Sequence, residues 1–302
     1  MGLVQIEQWE RRRLAAGGAG VAVAGLAYWL GVWTVAGQRA EDRIVADAYA
    51  LRAVTGWRPE VLPVDPSTAA GLAVLVLVAV GLARRRLAGA VVAIGLLVGA
   101  AGAGWVPKSL LPRPRLDRVG QATANSFPSG HVVLVMSIVL AVLLVTPAAL
   151  RWLVAALGAI AASWVVSATL IAAWHRPSDA VGADAVCFAL FVVATTIAHR
   201  RGWLGARESA PLGVAATVFG GFGCLVVAVI GTVTLQLPVA GARSTELLLA
   251  SVGAESATVA VVVCAMLLLR SVDLVRTVPA PVLALAVGNR CNGAGPDYVY
   301  KA

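Results

Sequence analysis

Eight stretches of this chain are almost wholly apolar for the length that a helix needs to cross a bilayer: 14–36, 66–83, 87–107, 131–150, 152–174, 179–198, 211–236 and 247–269. About 20 such residues span the hydrocarbon layer. That layer accepts only helices or closed barrels, because it offers no partner to an unpaired backbone group. A barrel fails for most of these runs, which show neither period-two alternation nor roughly ten-residue spacing. The chain therefore reads as all-α, a polytopic transmembrane helical bundle. Composition agrees: 13% of the 302 residues are charged, against about 25% in an ordinary soluble domain, and mean hydropathy is +0.86. The first run is too long and too aromatic (Tyr28, Trp29, Trp33) for a signal-peptide core, although Val35-Ala36-Gly37 resembles a weak cleavage site. It reads as an uncleaved anchor.

A net charge of +9 would raise nucleic acid as a partner in a soluble protein. Here the basic residues lie between apolar runs, so they read as topology signals instead. Arg11, Arg12 and Arg13 precede the first run, Arg84, Arg85 and Arg86 follow the second, and Arg151 follows the fourth. Arg200, Arg201 and Arg207 follow the sixth, and Arg270 the eighth. All fall on one side if both termini are cytoplasmic. The loop 37–65 opposes this mildly, with Arg39, Arg43, Arg52 and Arg58 on the other side among five acidic residues. Tryptophans 9, 105, 152, 174 and 203 mark segment ends, as an interfacial belt requires. Cys187, Cys224, Cys264 and Cys291 form no close pair or ligand spacing. The tail from 271 onward is too poor in apolar residues to span again.

One loop breaks the arginine pattern. Residues 108–130, placed outside, carry Lys108, Arg113, Arg115 and Arg118 against Asp117 alone. Such a patch fits lipid head groups or a functional anion site equally well. Two of the three histidines sit at helix boundaries on that face: His131 opens the fourth run, and His175 ends the fifth with Asp179 four residues on. The third, His199, lies among the arginines of the opposite side and reads as interfacial charge. The 24 basic residues include lysine only at 108 and 301, so Lys108 stands out in a chain otherwise committed to arginine.

In order, the pieces are Lys108-Ser-Leu-Leu-Pro-Arg-Pro-Arg115, then Pro128-Ser129-Gly130-His131, then His175-Arg-Pro-Ser-Asp179. This pattern resembles the type-2 phosphatidic-acid phosphatase superfamily, which shares its core with vanadium haloperoxidases. The first family motif is Lys, six residues, Arg-Pro. Lys108 and Arg115 keep the spacing, and Leu116 replaces the proline. The second motif, Pro-Ser-Gly-His, is complete. The third is Ser-Arg, five residues, His, three residues, Asp; His175 and Asp179 match it, while Ala168 and Thr169 replace Ser-Arg.

The resemblance implies a phosphohistidine mechanism, and the chemistry of phosphate esters asks for the same residue types. Equatorial phosphate oxygens need neutralising, and the nucleophile must stand in line. Lys108 and Arg115 can clamp the oxygens, Arg115 in bidentate fashion. Ser129 and Gly130 begin a helix whose amides and dipole attract anions. By resemblance His175 is the nucleophile, Asp179 its orienting carboxylate, and His131 the acid that protonates the leaving oxygen and then activates water. The arginine missing at Thr169 is a family phosphate clamp; Arg176 or Arg113 could replace its charge, and Arg113 equally suits a lipid head group.

No metal or cofactor is expected: there is no His-Glu-x-x-His, and no carboxylate cluster accompanies the histidines. Asp184 and Glu255 lie within spans and are expected near the outer interface in structural or interfacial roles. The organisation expected is a six-helix phosphatase core, 1–198, and an extension, 199–302, with two further helices. The function expected is dephosphorylation of a lipid phosphate or diphosphate in the outer leaflet. The partners are the bilayer and that lipid, with no nucleic acid. The location is the plasma membrane, of a bacterium by composition, with the site extracytoplasmic. Two rivals are a lipid-linked phosphotransferase with the same intermediate, and a transporter or lipid-binding protein with a degenerate site.

Overall fold

A computed structural model of the chain describes residues 3–56, 65–84, 86–116, 125–206, 214–236, 245–270 and 272–274. The helices are α1 (Leu3–Trp33), α2 (Val35–Thr55), α3 (Pro66–Ala83), α4 (Leu87–Leu110), α5 (Gly130–Val145), α6 (Arg151–Ile171), α7 (Pro177–Arg200), α8 (Val214–Gln236) and α9 (Thr245–Leu269). Strands β1 (Leu204–Ala206) and β2 (Val272–Leu274) pair antiparallel and join the ends of α7 and α9. Among the described residues seven helices are long and apolar enough to cross a membrane, and the chain is a multi-pass membrane protein with an all-α bundle fold.

α5, at 16 residues, is about 24 Å long and ends at Val145, short of the expected 150. Thr146 caps it and Pro147 follows. α5 is flanked by α4, α6 and α7 and buries Met136, Leu140, Leu143 and Leu144 completely, so protein rather than lipid covers its flanks. α1 packs along α7 at close range: a Cβ on Gly20 would stand 3.0 Å from the Ala185 carbonyl oxygen. Small residues permit that approach, and in lipid close packing is what holds helices together.

The stretch 37–65 holds a structure that its composition hides. Thr34 breaks α1 and caps α2, accepting the Gly37 N–H at 2.9 Å. Gly56, at φ 65°, ends α2 in the left-handed conformation that glycine adopts without strain. α2 lies at one end of the bundle, against α1, α6 and α9, and buries Gln38 and Glu41 beside Ala48 and Leu51.

At the opposite end the arginines gather. Arg151, 2% exposed, donates to the carbonyls of Thr146 at 3.1 Å and of Leu269 and Val272 at 2.8 Å. Asp273 accepts from Arg151 at 3.1 Å and from Arg86 at 3.0 Å, and Arg13 donates to the Leu268 carbonyl at 2.8 Å. These guanidinium groups satisfy the last carbonyls of α9, where a helix concentrates negative potential.

Asp184 and Glu255 are buried inside the bundle. Each is 1% exposed and lies in a helix contact. The Thr258 hydroxyl donates to Asp184 at 2.6 Å, and the hydroxyls of Ser167 and Thr232 both donate to Glu255. Neighbouring helices supply the polar partners that snorkelling would have sought in water, and α9 thereby joins α6, α7 and α8 through a buried polar seam.

Candidate active site

The end of the bundle away from the arginines collects the last turn of α4, the first turns of α5 and α7, the exit from α6, and α2. Lys108 lies in the final turn of α4, just after Pro107. Ser129 is the N-cap of α5, its side chain facing the Val132 N–H at 3.5 Å. A Cβ on Gly130 would lie 3.2 Å from Lys108 Nζ. Glycine there lets the ammonium rest directly over the start of α5, and the two form one positive corner.

The exit from α6 places His175. The Trp174 N–H reaches back to the Thr169 carbonyl at 3.1 Å, and Ala173 takes φ 56°. This tight helix ending usually falls to glycine; an alanine there costs about 1 kcal/mol. Arg52 of α2 braces the turn, donating to the Ala172 carbonyl at 2.7 Å. Pro177 then opens α7 at a position where its missing N–H costs nothing.

The two histidine motifs are joined through Asp179. Its backbone carbonyl accepts the Ser129 N–H at 3.0 Å. Its buried carboxylate accepts the Ser126 hydroxyl at 2.6 Å and the Arg176 N–H at 3.0 Å through Oδ2, the oxygen that lies 3.4 Å from His175 Nδ1. That last separation exceeds the roughly 2.8 Å of a charge-assisted bond, and the pair is not aligned as a hydrogen bond. Such contacts commonly tighten only when substrate is bound. With Nδ1 facing Asp179, the other ring nitrogen of His175, Nε2, is left for chemistry. The His131 and His175 rings stand edge to face, 6.1 Å between centroids, and Trp174 packs 5.4 Å from His131.

Several residues that do this positioning drew no notice in the sequence. Gln38 of α2 donates to the Val32 and Pro114 carbonyls at 2.7 Å and accepts the Leu116 N–H at 3.2 Å. It thus fixes the segment that carries Arg113 and Arg115. Tyr28 donates to the Pro112 carbonyl at 2.5 Å, and Asn125 donates to the carbonyls of Pro107 and Leu111 at 3.2 and 3.0 Å. Arg115 is exposed at this face. Arg118 and Asp117 lie outside the described residues.

Arg113 and Arg176 are held by acids of α2. Arg113 Nη2 is 3.3 Å from Glu41 Oε2; Arg176 Nη2 is 3.1 Å from Asp42 and its Nε 3.8 Å from Glu41 Oε2. Glu41 Oε1 accepts the Ser178 N–H at 3.2 Å. Burial pushes the Glu41 carboxyl up to about 7, and the negative Asp179 adds to that. The Ser178 side chain and the two guanidinium groups pull in the other direction. Thr169, in the place of the family arginine, is buried and donates to the Val166 carbonyl of its own helix at 2.8 Å. Among the described residues no group of three or more His, Cys, Asp or Glu could hold a metal ion.

No curated protein and no solved structure matches the chain. Residues 104–203 match the family model of the PAP2 superfamily. That segment runs from the last turns of α4 through α7, and contains Lys108, Arg115, the Ser129-Gly130-His131 corner, His175 and Asp179. That match, over about a third of the chain, supports membership of the type-2 phosphatidic-acid phosphatase superfamily.

Proposed function

We propose that the protein dephosphorylates a lipid phosphate or diphosphate without a metal ion, through a phosphohistidine on His175. The observation that carries this reading is the placement of His175 and His131 edge to face beside a corner built from Lys108 and the first amides of α5. A phosphoryl group set in that corner has its oxygens neutralised by Lys108, Arg115 and the helix N-terminus, with Ser129 able to donate its hydroxyl. His175 Nε2 attacks phosphorus while Asp179 holds Nδ1 and stabilises the positive ring. His131 protonates the departing oxygen and then takes a proton from the attacking water. The charge that a divalent ion would supply is already present as ammonium, guanidinium and amide groups.

A site at a bundle end suits a substrate whose chain stays in the bilayer. The arginines at the other end argue that this end is extracytoplasmic and that both termini are cytoplasmic. Candidate substrates are polyprenyl phosphates and diphosphates, phosphatidic acid and phosphatidylglycerol phosphate. The test is phosphate release by purified protein in detergent from a panel of these lipids, with and without excess chelator. Release unaffected by chelator is expected; loss restored by a divalent cation refutes the metal-free mechanism. In isotopic water, solvent oxygen in the released phosphate marks hydrolysis. Transfer to a lipid or sugar hydroxyl instead marks a phosphotransferase.

A further inference from the structure

Glu41 occupies a cradle that is too large for it. Three donors around it stand at 3.2 Å (Ser178 N–H), 3.3 Å (Arg113 Nη2) and 3.8 Å (Arg176 Nε), whereas a charge-assisted bond closes to about 2.7–2.9 Å. The cradle also has donors to spare. Arg113 Nη1 and Arg176 Nε are buried without a hydrogen-bond partner among the described residues, and the two side chains are 4% and 9% exposed. Buried donors are ordinarily satisfied, and each one left over is costly. A carboxylate brings two oxygens to this place. A phosphoryl group brings three, with more charge, in the bidentate geometry that guanidinium groups prefer. Arg176 follows His175 directly in the chain and Ser178 opens the same helix as Asp179, so the cradle lies within one helical turn of the histidine.

We infer that Arg113, Arg176 and the Ser178 amide form a second anion subsite beside His175, which Glu41 fills in the free protein and the lipid-side phosphoryl group of a diphosphate fills in the complex. The inference rests on the phosphatase reading above and narrows its substrate class to lipid diphosphates. With a diphosphate held at both places, His175 Nε2 bonds to the terminal phosphorus as the bond from that phosphorus to the bridging oxygen breaks. The bridging oxygen leaves with the electron pair, as part of a lipid monophosphate. Water then displaces the histidine, giving orthophosphate and a proton. The subsite neutralises the charge that collects on the leaving phosphate, so this step makes little demand on His131. Asp42 keeps its hold on Arg176 Nη2 throughout and leaves Nε for the ligand. Gly31 lets Glu41 and Ser178 sit here: a Cβ there would come within 2.8 Å of Glu41 Oε1 and 2.5 Å of Ser178 Oγ.

Calorimetry on the full chain in detergent at pH 8, with methylenediphosphonate and with orthophosphate, tests the subsite without relying on turnover. Glu41→Gln removes the competing charge. It is expected to tighten diphosphonate binding about tenfold, the worth of one charge-assisted hydrogen bond, and to change orthophosphate binding less than about threefold. Adding Arg113→Gln to Glu41→Gln is expected to abolish that gain. Should Glu41→Gln fail to fold, Glu41→Asp keeps the charge but draws it back by one methylene, and the same selective tightening is expected. Equal effects on the two ligands, no effect on either, or no diphosphonate binding at all overturns the subsite. Phosphate release from a prenyl monophosphate and a prenyl diphosphate, measured on the same preparations, keeps the two claims apart. Release with non-selective binding sinks the subsite alone, and selective binding without release from either lipid sinks the phosphatase reading alone.

Discussion

The backbone N–H of Ser129 donates to the backbone carbonyl of Asp179 at 3.0 Å, so the start of α5 and the start of α7 are one rigid piece. The residue after Ser129 carries the Lys108 contact and the next is His131; four residues before Asp179 stands His175. A main-chain bond, which among single substitutions only Ser129→Pro removes outright, therefore ties together the two helix starts that carry the histidines.

That pairing assigns different work to each ring. His175→Ala is expected to abolish both turnover and the acid-labile, base-stable labelled protein that rapid quenching traps. His131→Ala is expected to lose far more activity on a lipid monophosphate, whose alkoxide leaves poorly without a proton, than on an activated aryl phosphate. On the aryl substrate it should accumulate the labelled intermediate, because water activation fails. Normal trapping in His175→Ala, or equal losses on both substrates in His131→Ala, would show the roles to be misassigned.

Asp179 is expected to act by charge and Ser126 by position. Asp179→Asn removes the anion that stabilises a cationic His175, and the first step should slow by about 10³-fold or more. Ser126→Ala deletes the 2.6 Å bond to Oδ2, worth about 1 kcal/mol, and should cost about fivefold to tenfold in kcat. Burst kinetics on an aryl phosphate measure both. A larger loss in Ser126→Ala than in Asp179→Asn would reverse the ranking.

Glu41 gives the fold a pH dependence of definite sign. Its carboxyl is raised from 4.5 to about 7, so the folded state holds its proton more tightly than the unfolded state does. The stability linked to that proton is complete below about pH 4.5 and is lost as pH rises through about 7. Asp179 faces the group with like charge, and Arg113 and Arg176 with opposite charge. Glu41→Gln, which cannot ionise, should flatten the fall. Melting temperatures in detergent from pH 5 to 8.5 would check this, and parallel wild-type and variant curves would contradict it.

Seven of the eight expected spans were readable because lipid imposes a uniform demand for about 20 apolar residues; the fourth run holds the shorter α5. The Ser129-to-His131 and His175-to-Asp179 stretches were readable because helix starts and anion binding use the same few residue types. α2 was not. Its buried residues include Gln38 and Glu41 beside Ala48 and Leu51, so no apolar stripe marks it, and its acids looked like the charge of an ordinary loop. The partners of Arg113 and Arg176 come from that helix, and no spacing within the cationic loop could reveal them. The burial of Asp184 and Glu255 was hidden for a related reason: the hydroxyls that allow it come from other helices.

The arginines of that same bundle end argue for a cytoplasmic placement, which makes the orientation testable. In a variant lacking Cys187, Cys224, Cys264 and Cys291, a single cysteine at Ser109 is expected to react with an impermeant maleimide in intact cells. Labelling only after lysis would invert the protein and place its chemistry in the cytoplasm.

Arg151 is read twice in the life of the molecule. While the chain inserts, an arginine in a short loop acts through its free charge and holds that loop on one side of the bilayer. In the finished bundle that charge no longer faces lipid or water: the guanidinium is enclosed by the carbonyls of Thr146, Leu269 and Val272 and by Asp273. The last two belong to β2, the strand that follows α9. The early sorting signal is thus silenced only when synthesis has passed Asp273, 122 residues after Arg151 itself.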